Sequence, residues 1–462
     1  MTAPGSTPTA DRSSTDPDGH SSSAVQAAAS AAEQEVVQLC SELIQFDSVN
    51  TGDPDTIGDG EARAARYLQD KLEEVGYETT YLESVPGRGN VIARLAGADR
   101  SRGALLIHGH VDVVPADATE WTVDPFSGAV RDGYVWGRGA VDMKDMVAMT
   151  VAVARDFKRS GYVPPRDLIF AFVSDEEAGG LLGAQWLVDH HPELFQDATE
   201  AISEVGGFSI PIADDRRAYL VAAAEKGVAW ARLTATGRAG HGSMINDDNA
   251  VSRIAQAVAR LGTHEFPITR TATVDALLEA ITRLTGLEFP EEDLESAVAK
   301  VGPVSRILNA TLRNTANPTM LKAGYKANVI PSTAEATVDC RVLPGSEDTF
   351  REEVARIVGD DVQIDWTWQP PLEYPFEGAL VEAMAAALQA EDQTGTAIPY
   401  MLSGGTDNKA FARLGIAGYG FAPLRLPADL DFSALFHGVD ERVPVDALTF
   451  GTRVLDRFLR SC

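Results

Sequence analysis

Positive charge is scarce in this sequence. Its 462 residues carry 39 Lys and Arg against 68 Asp and Glu, a formal net charge of -29, and so lack the basic surface that nucleic acid or an anionic membrane requires. Cysteine is scarcer. Cys40, Cys340 and Cys462 lie far apart with no C-x-x-C pair, which excludes a disulfide framework and a thiolate metal site and leads us to expect a reducing, cytoplasmic setting. Long apolar runs are missing as well. No stretch reaches the roughly 20 residues that span a bilayer, and the N-terminus has no basic segment leading into an apolar one. Neither secretion nor membrane insertion is expected.

What the chain does have is length and patterning. Residues 1–28 are rich in Ser, Thr, Pro, Gly and Asp; with so few large apolar side chains they cannot offset the entropy of ordering, and a disordered tail is expected there. From residue 29 helical periodicity (EQEVVQLCSELIQF, EARAARYLQDKLEEVG) alternates with compact β-branched runs (NVIARLAG, GALLIHGHVDVV, DLIFAFVS, TEAISEV). That alternation predicts an α/β layered sheet. Between about 225 and 371 the order becomes β-α-β-β-α-β, the pattern of a small split βαβ domain inserted into the first. Residues 264–318 exceed that unit and carry further helical pattern. The expected organisation is a tail (1–28), a catalytic domain in two parts (29–224 and 372–462) and the insertion (225–371).

Several polar residues sit where predicted strands run out, the edge at which open α/β sheets form their sites. His110 ends an apolar strand in HGHVDVVP, with Asp112 placed to take its second ring proton and fix the tautomer. Asp142 lies in GRGAVDMK, where Gly137 and Gly139 permit unusual backbone angles before a helix. Asp175, Glu176 and Glu177 (SDEEAGG) follow another strand and repel one another unless solvated or bound to cations. Glu204 (SEVGG) ends a third strand, and His437 (HGVDERVP) is the only histidine in the last 190 residues. Singly, each reads as an ordinary cap, turn or core histidine. Together, imidazoles and carboxylates of this kind suit zinc and similar ions.

HGHVDVVP, GRGAVDMK, SDEEAGG, SEVGG and HGVDERVP, in this order and from about residue 30 to the C-terminus, resemble the dinuclear zinc aminoacylase and carboxypeptidase family, which includes glutamate carboxypeptidase, acetylornithine deacetylase, succinyl-diaminopimelate desuccinylase and dipeptidases. The resemblance implies a zinc-peptidase-like mixed sheet flanked by helices, with the insertion as an α+β lid and dimerisation domain. It implies two Zn2+ per chain, replaceable by Co2+ or Mn2+, with Asp142 bridging, His110 and Glu204 completing one site, and Glu177 and His437 the other. Glu176 would be the general base. His241 (GRAGHGS), Asn328 (ANVIP) and Arg341 (VDCRVLPG) would bind substrate, His241 reaching a neighbouring subunit, and the turn SGGTDNK with Gly404, Gly405 and Thr406 would support the substrate carboxylate through backbone N–H groups.

The sequence departs from the family at Asp145, at Val205 between Glu204 and the glycines, and after His241, where the usual proline is absent. The presumed ligands and base are intact. EWTVDPF (Glu120 to Phe126) resembles the branch of larger carboxypeptidases and N-acyl amino acid hydrolases. The expectation is therefore a homodimeric hydrolase of small substrates, dipeptides or N-acyl amino acids, cleaving an amide beside a free carboxylate. Two rivals remain at this point: a silent binding protein on the same fold, which should have lost a ligand or the base, and a single-domain aminopeptidase, which should lack the insertion.

Overall fold

The computed structural model describes residues 29–213, 216–302 and 304–462; the tail expected over 1–28 lies outside them. A ten-stranded mixed sheet forms the centre, in the order Thr79–Glu83, Gly89–Leu95, Leu168–Val173, Ala104–His110, Ala198–Ser203, Ala417–Gly420, Arg216–Glu225 and Leu372–Glu373, with Phe208–Ala213 and Gly395–Leu402 also pairing with Arg216–Glu225. Ala104–His110 and Leu168–Val173 are buried at every position. Strands covered on both faces have no solvent side, which explains their unbroken apolar runs.

One face packs Leu105, Ile107, Phe170 and Phe172 against Leu39, Val147, Val151 and Leu455 of helices Ala31–Ile44, Lys144–Ser160 and Val445–Ser461. The other packs Leu106, Ile169 and Ala171 against Leu187 and Phe411. Burying a Phe such as Phe170 or Phe172 contributes about 1.5–3 kcal/mol relative to exposure. Among the described residues no helix is long and apolar enough to cross a membrane.

Four of the central strands, Leu168–Val173, Ala104–His110, Ala198–Ser203 and Ala417–Gly420, run parallel to their neighbours in this group. Their carboxyl ends therefore share one edge, and that edge carries the site.

Strand Arg216–Glu225 continues into Gly227–Thr236 with only Lys226 between. Gly227–Thr236 belongs to a second, four-stranded antiparallel sheet ordered Thr315–Ala323, Thr333–Val342, Gly227–Thr236, Val362–Gln369. Its strands alternate. In Thr333–Val342 the even-numbered residues from Ala334 to Val342 are buried under helices Ala250–Gly262 and Glu347–Val358, while the odd-numbered ones stay accessible, as period-two patterning requires of a one-sided sheet. The chain returns at Leu372–Glu373, which pairs with Ala224 and Glu225. The two crossings between the sheets are thus side by side.

Of residues 264–318, expected as an extra part of the inserted domain, Phe266 and Ala316 join its core but the helices do not. Helices Ala272–Thr285, Leu294–Ala299 and Val304–Thr311 direct Val274, Leu277, Ile281, Val298 and Leu308 into the main core instead. Their periodicity marks which helix face is apolar, not which sheet it covers.

Candidate active site

At the shared edge, one carboxylate faces two imidazoles. Asp142 Oδ1 is 3.2 Å from His110 Nε2, and Asp142 Oδ2 is 3.2 Å from His437 Nε2. Glu204 Oε2 lies 3.4 Å from His110 Nε2, and Glu177 Oε2 lies 3.2 Å from His437 Nε2. Two half-sites therefore share Asp142. Glu176 belongs with the first, its carboxylate within 4.8 Å of the nearest donor atoms of His110 and Glu204.

The supports differ from those expected in one respect. Asp112 does orient His110, but Nδ1 donates to the Asp112 backbone carbonyl at 3.0 Å, while the carboxylate is farther, at 3.5 Å. That carboxylate accepts instead from the backbone N–H groups of Glu176 (3.1 Å) and Glu177 (3.0 Å) and from Asn50 (3.0 Å). One buried side chain thereby aims both glutamates. Asp175, the first of the three adjacent acids, turns inward at φ 70° and meets Asn50 at 3.0 Å and Arg88 at 3.5 Å. Repulsion in the acidic triplet is relieved by sending one carboxylate into an Asn–Arg cage and two toward the site.

Glu441 serves the other half-site. It accepts from the N–H groups of Val141 (2.8 Å) and Asp142 (3.2 Å) and pairs with Arg138 at 2.6 Å; Arg138 also donates to the His437 carbonyl at 3.3 Å. Glu441 lies inside HGVDERVP, four residues after His437, a spacing that could have drawn attention to it. Val205, at φ 49°, holds a β-branched residue in the left-handed region, a strained conformation for such a side chain. Gly206 follows for a steric reason, because a Cβ there would stand 1.9 Å from the Gly420 carbonyl oxygen.

Burial sets the electrostatics. It pushes the Glu204 carboxyl up to about 8, against the pull of His110, and raises Glu176 well above the ordinary range, with Glu204 adding to the effect. Hydrogen bonds to Asp142 and Glu177 draw His437 up to about 10. Burial opposes ionisation of Asp142, yet the two histidines hold it below the usual carboxylate range. Asp407, which the sequence did not single out, is buried, and its Oδ2 has no hydrogen-bond partner among the described residues. The edge holds more carboxyl groups than its own cations could balance if all were ionised.

That donor set fits divalent ions. Donors about 2.0–2.1 Å from one ion at a tetrahedral angle stand about 3.3 Å apart, which matches the 3.2 to 3.4 Å separations within each half-site. His110, Asp142 and Glu204 can hold one cation, and His437, Asp142 and Glu177 a second.

The site opens into a cleft of about 820 Å³ between the two sheets. The accessible face of the second sheet forms its roof. Gln369, Val228 and Arg341 lie in register across three strands and all line the cleft. Arg341 is engaged by Asp339 of its own strand, through bonds of 2.8 and 3.0 Å. Gly404, Gly405 and Thr406 line the cleft too. Thr406, expected to offer its N–H to substrate, spends both N–H (3.1 Å) and hydroxyl (2.6 Å) on Glu225, so that expectation is corrected. The N–H groups of Gly404 and Gly405 find no acceptor among the described residues.

His241 and Asn328 are elsewhere. They sit on a short ribbon, Gly240–His241 against Val329–Ile330, where the Gly242 N–H donates to the Asn328 carbonyl at 2.9 Å. Both are exposed and neither lines the cleft.

Comparison with known proteins agrees with this architecture. The chain is 28% identical over 433 residues to a probable carboxypeptidase S-like 2 of Dictyostelium discoideum, covering 89% of this chain and 82% of that one. It is 27% identical over 411 residues to human aminoacylase-1, covering 86% and 89%. Its fold matches the crystal structure of an M20 family metallo-carboxypeptidase from Sulfolobus solfataricus with a TM-score of 0.69 at 18% identity, over 92% of this chain and 99% of the other. Residues 106–461 match the model of Peptidase family M20/M25/M40; the chain belongs to this family and is a hydrolase of peptide or amide bonds.

Proposed function

We propose that the chain hydrolyses an amide or peptide bond next to a free carboxylate, as a carboxypeptidase, dipeptidase or N-acyl amino acid amidohydrolase does. The observation that carries this is Asp142, with each oxygen 3.2 Å from a different histidine. His110 and Glu204 complete one cation site and Glu177 and His437 the other, with zinc as the default and cobalt or manganese as substitutes. Two divalent cations there would polarise the scissile carbonyl and make a water nucleophilic near neutral pH.

Glu176 is the general base. It accepts a proton from the attacking water and returns it to the departing amine. Its backbone is fixed by Asp112, and unlike Glu177 it makes no close contact with His437. The free N–H groups of Gly404 and Gly405, with the Arg341 fork, suit the substrate carboxylate.

His241 and Asn328 reach a cleft only if the second sheet moves or a second copy brings them. A homodimer is the reading we adopt. Met244 (68% exposed), Ile245 (99%) and Tyr325 (82%) present apolar surface close in sequence to these two residues, as an interface would. Three buried free thiols, Cys40, Cys340 and Cys462, fit a reducing compartment such as the cytoplasm. A silent binding protein would not need an unligated base held beside the donors, and a single-domain aminopeptidase would have no second sheet.

The test is amine release from dipeptides and N-acyl amino acids in zinc, cobalt or manganese. Cleavage that a chelator abolishes and metal restores is the expected result. Metal binding without cleavage of any such amide sinks the reading.

A further inference from the structure

One carboxyl group in the cleft has nothing to bond. Asp407 lines the cleft with Glu176, Gly404 and Gly405, is 6% exposed, and has no donor to its Oδ2 among the described residues. It precedes the short helix Asn408–Phe411, yet its side chain caps none of that helix's N–H groups. The cations that follow it in the chain are engaged elsewhere, Lys409 with Glu225 and Arg413 with Asp189. Nor does Asp407 belong to either cluster of presumed cation donors. A buried carboxyl without a partner is costly, and burial together with the surrounding acids holds it well above the ordinary range. A hydrogen-bond donor arriving with the substrate would relieve both.

Its mount is rigid. Glu225 holds Thr406, Asn408 (3.2 Å) and Lys409 (3.4 Å), on either side of Asp407. The next residue, Lys226, is 1% exposed and donates to the carbonyls of Ala310 (2.9 Å) and Arg313 (2.6 Å). That ties down the helix Val304–Thr311, whose Ile307 and Ala310 also line the cleft. From the other side the loop of Glu176 comes up against Asp407. A Cβ on Gly180 would stand 2.8 Å from Asp407 Oδ1, and the Gly180 N–H is bonded to the Asp175 carbonyl at 2.7 Å. Asp407 therefore stands between the loop of the presumed base and the turn suited to a carboxylate.

Substrate chemistry says what belongs there. In an amide beside a free carboxylate, a single carbon separates the scissile nitrogen from the carboxylate. A carboxylate held at Gly404 and Gly405, just before Asp407 in the chain, brings that nitrogen close to Asp407, and Glu176 must reach the same nitrogen to return its proton. Resting on the amidohydrolase reading above, we propose that Asp407 is a further catalytic residue, one that accepts a hydrogen bond from the scissile N–H. The amide C–N bond breaks and a C–O bond to the water oxygen forms. One water proton passes through Glu176 to the nitrogen, the other stays with the new carboxyl group, and the N–H facing Asp407 stays on nitrogen throughout. Asp407 itself neither gains nor loses a proton. Turning the N–H to Asp407 leaves the nitrogen lone pair free to face Glu176. As the nitrogen is protonated and gathers positive charge, its bond to the carboxylate strengthens, so the contact favours the transition state over the bound amide.

The experiment gives the metal-loaded protein substrate pairs that differ only in N–H against O: N-acetylphenylalanine with O-acetyl-3-phenyllactate, and glycylphenylalanine with O-glycyl-3-phenyllactate. Asp407→Ala should lower kcat/KM for the amides about tenfold to a hundredfold, the contribution of one hydrogen bond to a charged group, and change it less than about threefold for the esters. Asp407→Asn, close in shape and keeping a weaker acceptor, should fall between, and it carries the test if the alanine variant does not fold. Both variants should retain two ions per chain. Amides and esters that fall together, or amides unmoved in folded, metal-loaded protein, overturn the role of Asp407 while leaving the amidohydrolase reading intact. Loss of one ion overturns it too, by making Asp407 a ligand. Esters that bind without being cleaved serve as inhibitors, and their Ki should then be unmoved by Asp407→Ala while the amides still lose about tenfold. Failure of the native protein to cleave either amide in zinc, cobalt or manganese overturns both readings.

Discussion

The two halves of the site are built on different principles. At the main sheet's edge most donors are fixed by the chain that carries them: Asp112 aims Glu176 and Glu177, Glu441 grips the Asp142 loop, and the ends of parallel strands hold His110 and Glu204, while His437 is held through its backbone by Arg138. On the second sheet Arg341 lines the cleft, whereas His241 and Asn328 stand on an exposed ribbon outside it. Preorganisation within one chain suits ions, whose donors must not wander. A substrate must enter and leave, so its remaining contacts can come from a moving sheet or another copy.

The sharpest way to break this contrast is at Glu176. Glu176→Gln should lower amine release by about 10²–10⁴-fold while metal analysis still finds two ions per chain, because it removes a proton acceptor and not a ligand; unimpaired turnover would contradict the assigned role. His241→Ala should cost about 10²–10³-fold with metal content again unchanged. Mixing Glu176→Gln chains with His241→Ala chains then tells a second copy from a closing lid. A dimer that exchanges His241 regains up to about a quarter of native turnover, the share expected from random pairing; a closing monomer regains nothing.

Arg341→Ala should raise KM about tenfold, on the order of 1.4 kcal/mol, for substrates with a free C-terminal carboxylate and leave amidated analogues unaffected. Equal responses would remove the carboxylate role. Where the halves join, the effect expected is on stability and not on turnover. Burial, with Arg341 nearby, lowers Lys226 to about 7, so between that value and the ordinary lysine range near 10.4 the unfolded chain binds a proton the native chain does not. Stability from this group therefore rises with pH across that window. Lys226→Met should flatten the rise in denaturant titrations and cost about 1–3 kcal/mol by stranding the carbonyls of Ala310 and Arg313.

Sequence pattern carried the main sheet and the meeting of His110, Glu177 and Glu204 at its edge, because strand ends are marked by apolar runs that stop and parallel order brings those stops together; Asp142 and His437 were added by the resemblance of their motifs. It did not carry what lies a layer behind. Asp112 was read as a tautomer anchor from its spacing, yet which of its oxygens faces the ring depends on where Glu176 and Glu177 pass. Glu225 and Lys226 have no motif at all. They are a buried acid and a buried base whose partners are far off in the chain, and only packing makes them neighbours of the cleft. The helix of Ile307 and Ala310 was not read from the pattern, which marked helices only earlier in the same stretch. His241 and Asn328 were legible as a pair from their motifs, while their distance from the cleft depends on how the two sheets are set against each other.

The cations that line the cleft are each neutralised at home: Arg341 by Asp339, Lys409 by Glu225, Arg306 by Asp431 and Arg413 by Asp189. With a net charge of -29 on the chain, the anionic substrate proposed above would approach against the protein's field and be held only by contacts formed on arrival. Encounter is therefore the step that dissolved salt assists. Raising ionic strength shortens the reach of the repulsion and speeds capture, the reverse of enzymes that draw their substrates in.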